Sequence, residues 1–67
     1  MIRVTVNGEE RELEPGLTVT GLLCRLGLHP RLVVVEHNRN IIDRAAFDET
    51  EVRAGDSVEL VHFVGGG

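Results

Sequence analysis

Only one stretch of this chain carries helical periodicity, and it is short. Val19, Leu22, Leu23 and Leu26 fall at i, i+3, i+4 and i+7, which puts four apolar side chains in one stripe. Thr18 is placed to cap the start, Gly27 stands where a C′ glycine belongs, and Pro30 prevents continuation. The runs on either side are too short or too β-branched to continue it. A single amphipathic helix cannot bury its own stripe, so the rest of the chain must supply a sheet for it to cover. Gly21, inside the helix, costs up to about 1 kcal/mol relative to alanine and is read as permitting close approach to that sheet.

The strands follow from period-two alternation and turn residues. Ile2-Arg3-Val4-Thr5-Val6 alternates apolar with polar, and Asn7-Gly8 after it is a strong hairpin signal, because both central positions of a type I′ turn require φ > 0. Glu9 to Leu13 returns, with the charge density of a sheet edge. Leu32 to Glu36 is apolar on both parities, a strand either covered on both faces or offering one apolar face to a partner. His37 to Asn40 reads as a tight turn, Ile41-Ile42 as a short strand, and Asp43 to Phe47 as one helical turn. In the polar connection Asp48 to Arg53 only Val52 looks core-directed. Ala54-Gly55-Asp56 leads into the last strand, Ser57 to Val64.

Both the first and last strands are apolar enough to be central. As neighbours they would be parallel, with the helix and the intervening strands forming the long connection such a pair needs. The expected fold is therefore α+β: a mixed sheet of about five strands, one helix across one face, the β-grasp or ubiquitin-like arrangement. Residues 1–64 form the single domain and 65–67 a flexible glycine tail.

Sixty-seven residues leave little room for an enclosed substrate pocket. A net charge of −4, with seven arginines and no lysine, argues against nucleic acid and suits a partner with a basic face. Cys24 is the sole cysteine, which excludes an internal disulfide; it reads as a small, partly buried hydrophobe. No apolar run approaches the length of a membrane span and no signal segment opens the sequence, so the expected setting is cytoplasmic. His29, His37 and His62 form no metal-ligand spacing, and Asp43, Asp48, Glu49, Glu51 and Asp56 read as a solvated acidic surface. No phosphate-cradling or nucleophile–base pattern occurs.

What remains is the end of the sequence, Val64-Gly65-Gly66-Gly67. Glycine adds nothing to packing and leaves the backbone unhindered. Such a thread could enter a narrow channel on another protein and present the Gly67 carboxylate; it could equally be a frayed terminus. With Val58 and Leu60 facing the helix, alternation sends Glu59, Val61 and Phe63 to the open face of the sheet. Val61 and Phe63, with the apolar strand at Val33 to Val35, would make a patch leading to the tail through Val64 and Gly65. Scattered surface hydrophobes are the plainer alternative.

Val6-Asn7-Gly8-Glu9, Thr18-Val19 with Leu22-Leu23, Val33 to Asn38, Ile41-Ile42, Gly55-Asp56 and Phe63 to Gly67 together resemble the ThiS family of sulfur carriers in thiamine biosynthesis, within the ThiS/MoaD group. The resemblance runs from residue 1 to 67. It implies a protein co-substrate, not a catalyst. An adenylating, ThiF-like enzyme of the ubiquitin-activating type would use ATP and Mg to activate the Gly67 carboxylate, with Gly66 beside it in the active site. A sulfur donor such as a cysteine desulfurase would convert it to a C-terminal thiocarboxylate (1-thioglycine), and a ThiG-like thiazole synthase would accept the sulfur. The resemblance implies no permanently bound cofactor, and no metal, nucleic acid or membrane partner. Gly65 departs from the family pattern, which needs only the terminal glycine pair. Sulfur carriers for molybdopterin, tRNA thiolation or cysteine synthesis share this fold and tail, and a ubiquitin-like modifier or docking module is the alternative from a different class.

Overall fold

The computed structural model describes residues 1–63; Val64, Gly65, Gly66 and Gly67 lie outside the described residues. Five strands form one sheet: β1 (Ile2–Val6), β2 (Glu9–Leu13), β3 (Val33–His37), β4 (Asn40–Ile42) and β5 (Ser57–His62), in the order β2-β1-β5-β3-β4. One α-helix, α1 (Val19–Arg25), crosses one face, and single 3-10 turns occupy Pro30–Leu32 and Arg44–Ala46. The expected parallel pairing of first and last strands is present, with Thr5 opposite Ser57 and Val6 opposite Val58; the other pairs are antiparallel.

Local chemistry accounts for the corners. Asn7 and Gly8 adopt φ of 50° and 82°, the left-handed pair the β1–β2 hairpin requires. Asn38 and Arg39, at 49° and 71°, do the same between β3 and β4. The Thr18 side chain accepts from the Gly21 N–H at 3.2 Å, and the Val19 N–H donates to the Thr50 carbonyl at 2.8 Å. Together with Thr20 N–H to Phe47, these bonds satisfy donors that a helix start otherwise leaves open, and they pin α1 to the segment preceding β5.

The core is a single layer between helix and sheet. Val19, Leu22 and Leu23 of α1 meet Val4, Val6, Val33, Val35, Val58 and Leu60 from the sheet, and Phe47 and Val52 close one end. Leu26, the fourth member of the predicted stripe, is only partly buried against this cluster.

Four expectations are corrected here. Gly21 does not face the sheet: a Cβ at this position would meet Leu17 Cδ2 at 2.9 Å, so the close neighbour is the loop before the helix. Cys24 is exposed, because it lies about 100° further round the helix than Leu23, beyond the buried stripe. Leu32 belongs to a 3-10 turn whose start Pro30 favours, and the last strand ends at His62, with Phe63 just beyond it.

Candidate functional site

β5 runs through the middle of the sheet, and the side of the sheet that α1 leaves uncovered carries the candidate site. Strand alternation buries Val58 and Leu60 under the helix and turns Glu59 and Val61 outward, with Phe63 beyond them. Val61 is 57% exposed and Phe63 55%. Val34 of β3 stands directly opposite Val61 and is also exposed, while its neighbours Val33 and Val35 are buried. Thus β3 offers one apolar face outward, resolving the two readings its sequence allowed. Exposed Leu32 is tied to this row, since its carbonyl accepts from the Phe63 N–H at 2.8 Å. Ile41 of β4, 73% exposed, extends the apolar surface toward the far edge.

Val34, Val61 and Ile41 on the strands, with Leu32 and Phe63 just beyond the strand ends, put five exposed large apolar side chains on this side of the sheet, the pattern of a candidate contact surface. The structure brings together Val61 and Phe63 of the predicted contact residues. Val64, Gly65, Gly66 and Gly67, the remaining predicted site residues, lie outside the described residues. Leu32 and Ile41 were not anticipated. Ile41 could have been found by parity, because Ile42 is partly buried and its neighbour must then point the other way.

The other end of β5 is fixed by a polar cluster that sequence reasoning misplaced. Asp56, read as part of a solvated surface, has a largely covered side chain. Its Oδ2 accepts from the Arg53 N–H at 2.9 Å and lies 2.7 Å from His37 Nε2, and its Oδ1 accepts from Asn38 Nδ2 at 3.2 Å. Asn38 in turn accepts from the Ser57 N–H at 2.9 Å. Burial raises the Asp56 pKa, but the hydrogen bonds from the Arg53 N–H, His37 and Asn38 outweigh it and hold the carboxyl below the usual aspartate range. His37 is likewise half-buried and engaged, not a free loop residue.

On the helix side, Thr20, Cys24, Gly27, Leu28, His29 and Pro30 line a shallow, mostly apolar groove of about 420 Å³. Among the described residues no three His, Cys, Asp or Glu side chains gather where they could hold a metal, and no helix is long and apolar enough to cross a membrane.

A five-stranded mixed sheet, a single helix over one face and parallel first and last strands define a β-grasp, ubiquitin-like domain. The chain belongs to the ThiS family, whose model matches residues 4–67. It is similar to the sulfur carrier protein ThiS of Bacillus subtilis, 42% identical over 50 residues that cover 75% of this chain and 76% of that protein. Thiazole synthases of Magnetococcus marinus and Paramagnetospirillum magneticum are 38% and 39% identical over 66 residues, 98% of this chain. The chain spans about a fifth (20%) of the length of those two relatives. Among solved structures, the crystal structure of the thiamine biosynthesis protein ThiS from Geobacter metallireducens superposes with a TM-score of 0.83 at 40% identity, covering 98% of this chain and all of that one. A solution structure of a Geobacter metallireducens thiamine biosynthesis protein gives a TM-score of 0.81 at 40% identity, covering 98% of this chain and 88% of that one.

Proposed function

We infer that the chain is a sulfur carrier of thiamine biosynthesis, a protein co-substrate that delivers sulfur for the thiazole ring. The observation that carries this reading is the ThiS family match from residue 4 to 67, supported by a ThiS structure superposing over 98% of the chain.

The chemistry asked of the tail is modest. A carboxylate is a poor electrophile, so the Gly67 carboxylate must first be activated. Its oxygen attacks the α-phosphorus of MgATP on an adenylating enzyme, and pyrophosphate leaves. The sulfur of a persulfide, supplied by a donor such as a cysteine desulfurase, then attacks the acyl carbon and AMP departs. A further thiolate then attacks the donor's cysteine sulfur in the resulting acyl disulfide, forming a disulfide with it as the S–S bond to the acyl sulfur breaks and the thiocarboxylate leaves. Thiazole synthase is the acceptor, a reading supported by two relatives of that name that contain a segment similar to this chain. Gly66 and Gly67 provide unhindered backbone for entry into both active sites, and Gly65 lengthens that thread. Val61, Phe63, Val64 and Gly65 guide it, with the open face as the docking surface.

Intact-mass measurement tests this directly. After incubation with the host's adenylating enzyme, MgATP and a persulfide source, the chain should gain the increment for one oxygen replaced by sulfur. An unchanged mass, with the same enzyme preparation active on another carrier, would overturn the reading.

A further inference from the structure

On the open face, two residues along from the Val34–Val61 pair, Glu36 of β3 stands directly opposite Glu59 of β5. Both have the outward parity, and facing residues of an antiparallel pair bring their Cβ atoms within about 4.5–5.5 Å. Like charges in that position are destabilising. Some carboxylates elsewhere have a cationic partner: Arg3 reaches Glu12 across β1 and β2 at 4.0 Å, Arg25 pairs with Glu14, and Arg53 lies 3.7 Å from Glu51. Among the described residues no cation lies within ion-pair distance of Glu36 or Glu59. The residue flanking Glu36 on β4 is Ile41, which is apolar, and β1 has ended at Val6 before it could flank Glu59. The pair thus has no cationic partner among the described residues, and it lies at the border of the exposed apolar surface, one outward row beyond Val34 and Val61.

We propose that Glu36 and Glu59 form a paired-carboxylate receptor for a cationic side chain of the protein that docks on the open face. The inference rests on the reading of that face as the carrier's docking surface and names the chemistry of its partner. That partner presents an apolar patch to Val34, Val61 and Phe63, and beside it an arginine. Arginine suits the position better than lysine, because its planar fork can donate to two carboxylates at once and loses less hydration on burial. In the free carrier the two charges repel; in the complex one guanidinium bridges both carboxylates, offsets one charge and relieves the repulsion. The pair also places negative potential at the docking surface, where it raises the encounter rate with a basic patch.

The test uses the full chain and the host's thiazole synthase, with association followed by stopped flow at 50 and 300 mM salt, chosen to span roughly 2.4-fold in Debye length. The double variant Glu36→Gln/Glu59→Gln should melt no lower than the parent, associate roughly fivefold more slowly at the lower salt, and lose most of the salt dependence. A lower melting temperature would show that the fold itself holds the pair, and would overturn the proposal. Unchanged association and salt dependence would overturn it too, while Phe63→Glu, run in parallel, decides the underlying reading. If Phe63→Glu weakens binding and the double variant does not, docking stands and the receptor falls; if neither has an effect, the open face is not the docking surface.

Discussion

Asn7 grips Leu60 with both ends of its side-chain amide: Oδ1 accepts from the Leu60 N–H at 2.7 Å and Nδ2 donates to the Leu60 carbonyl at 3.2 Å. β1 leaves the ladder at Asn7 to make its hairpin, yet β5 continues, so a side chain stands in for the missing strand backbone. The same residue holds φ at 50°, a conformation asparagine tolerates better than most. One residue therefore both turns the β1–β2 hairpin and fastens it to the central strand.

Replacing it separates the two roles. Asn7→Gly keeps the positive φ and loses both bonds, whereas Asn7→Ala loses both bonds and strains the turn. Urea unfolding should show a loss of about 1–3 kcal/mol for Asn7→Gly, with Asn7→Ala lower by about another 1 kcal/mol. Equal stability of parent and Asn7→Gly would mean the amide bonds contribute nothing.

The Asp56 cluster predicts a pH dependence of defined sign. Its folded pKa lies below the unfolded value, so its contribution is present above the ordinary aspartate pKa and disappears as pH falls through the lower, folded one. Asp56→Asn should accordingly be less stable than the parent at pH 7, and the difference should shrink as the pH is taken below about 3.9. A constant difference across that range, measured by denaturant titration, would refute the assignment.

Burial distinguishes positions that look alike in composition. Leu22 is fully buried beneath the helix, and Leu22→Ala should cost about 2–5 kcal/mol, enough to unfold much of a domain this small. Phe63→Glu, on the open face, should leave the melting temperature within a few degrees while weakening partner binding, as isothermal titration would report.

Gly21→Ala should be neutral or stabilising. The helix gains up to about 1 kcal/mol of propensity, set against a small shift of the Leu17 side-chain end. A loss larger than about 1 kcal/mol in thermal or urea unfolding would show that Leu17 cannot move.

At the other end, deleting Gly67 or adding one residue after it should abolish sulfur transfer and leave the circular dichroism melt unchanged. A lengthened tail that remains untrimmed by mass and still supports thiazole formation would overturn the carrier mechanism.

Elements governed by short-range periodicity were legible in the sequence. Val4 and Val6, Val58 and Leu60, and Val19, Leu22 and Leu23 all face where their spacing places them, and Asn7-Gly8 turns as its φ requirement dictates. The outward pair Val61 and Phe63 followed from the same alternation. Interactions between distant residues were not legible. His37 and Asp56 are separated by 19 positions, and Asn7 and Leu60 by 53, and nothing in the local composition marks either pair. Cys24 was misjudged for a different reason: small residues at the border of a helical stripe bury or expose according to how far the sheet extends, which spacing alone does not encode.

The sheet order has a mechanical consequence. β5 is held by β1 on one side and β3 on the other, and it runs parallel to β1. A pull along β5 from its C-terminal end loads the ladder with β3, five residue pairs long, in shear, and beyond it the two-pair ladder with β1. At an edge strand the same pull could peel bonds away one by one. A partner that pulled along β5 would therefore meet several hydrogen bonds at once, and the fold would serve as a handle as well as a label.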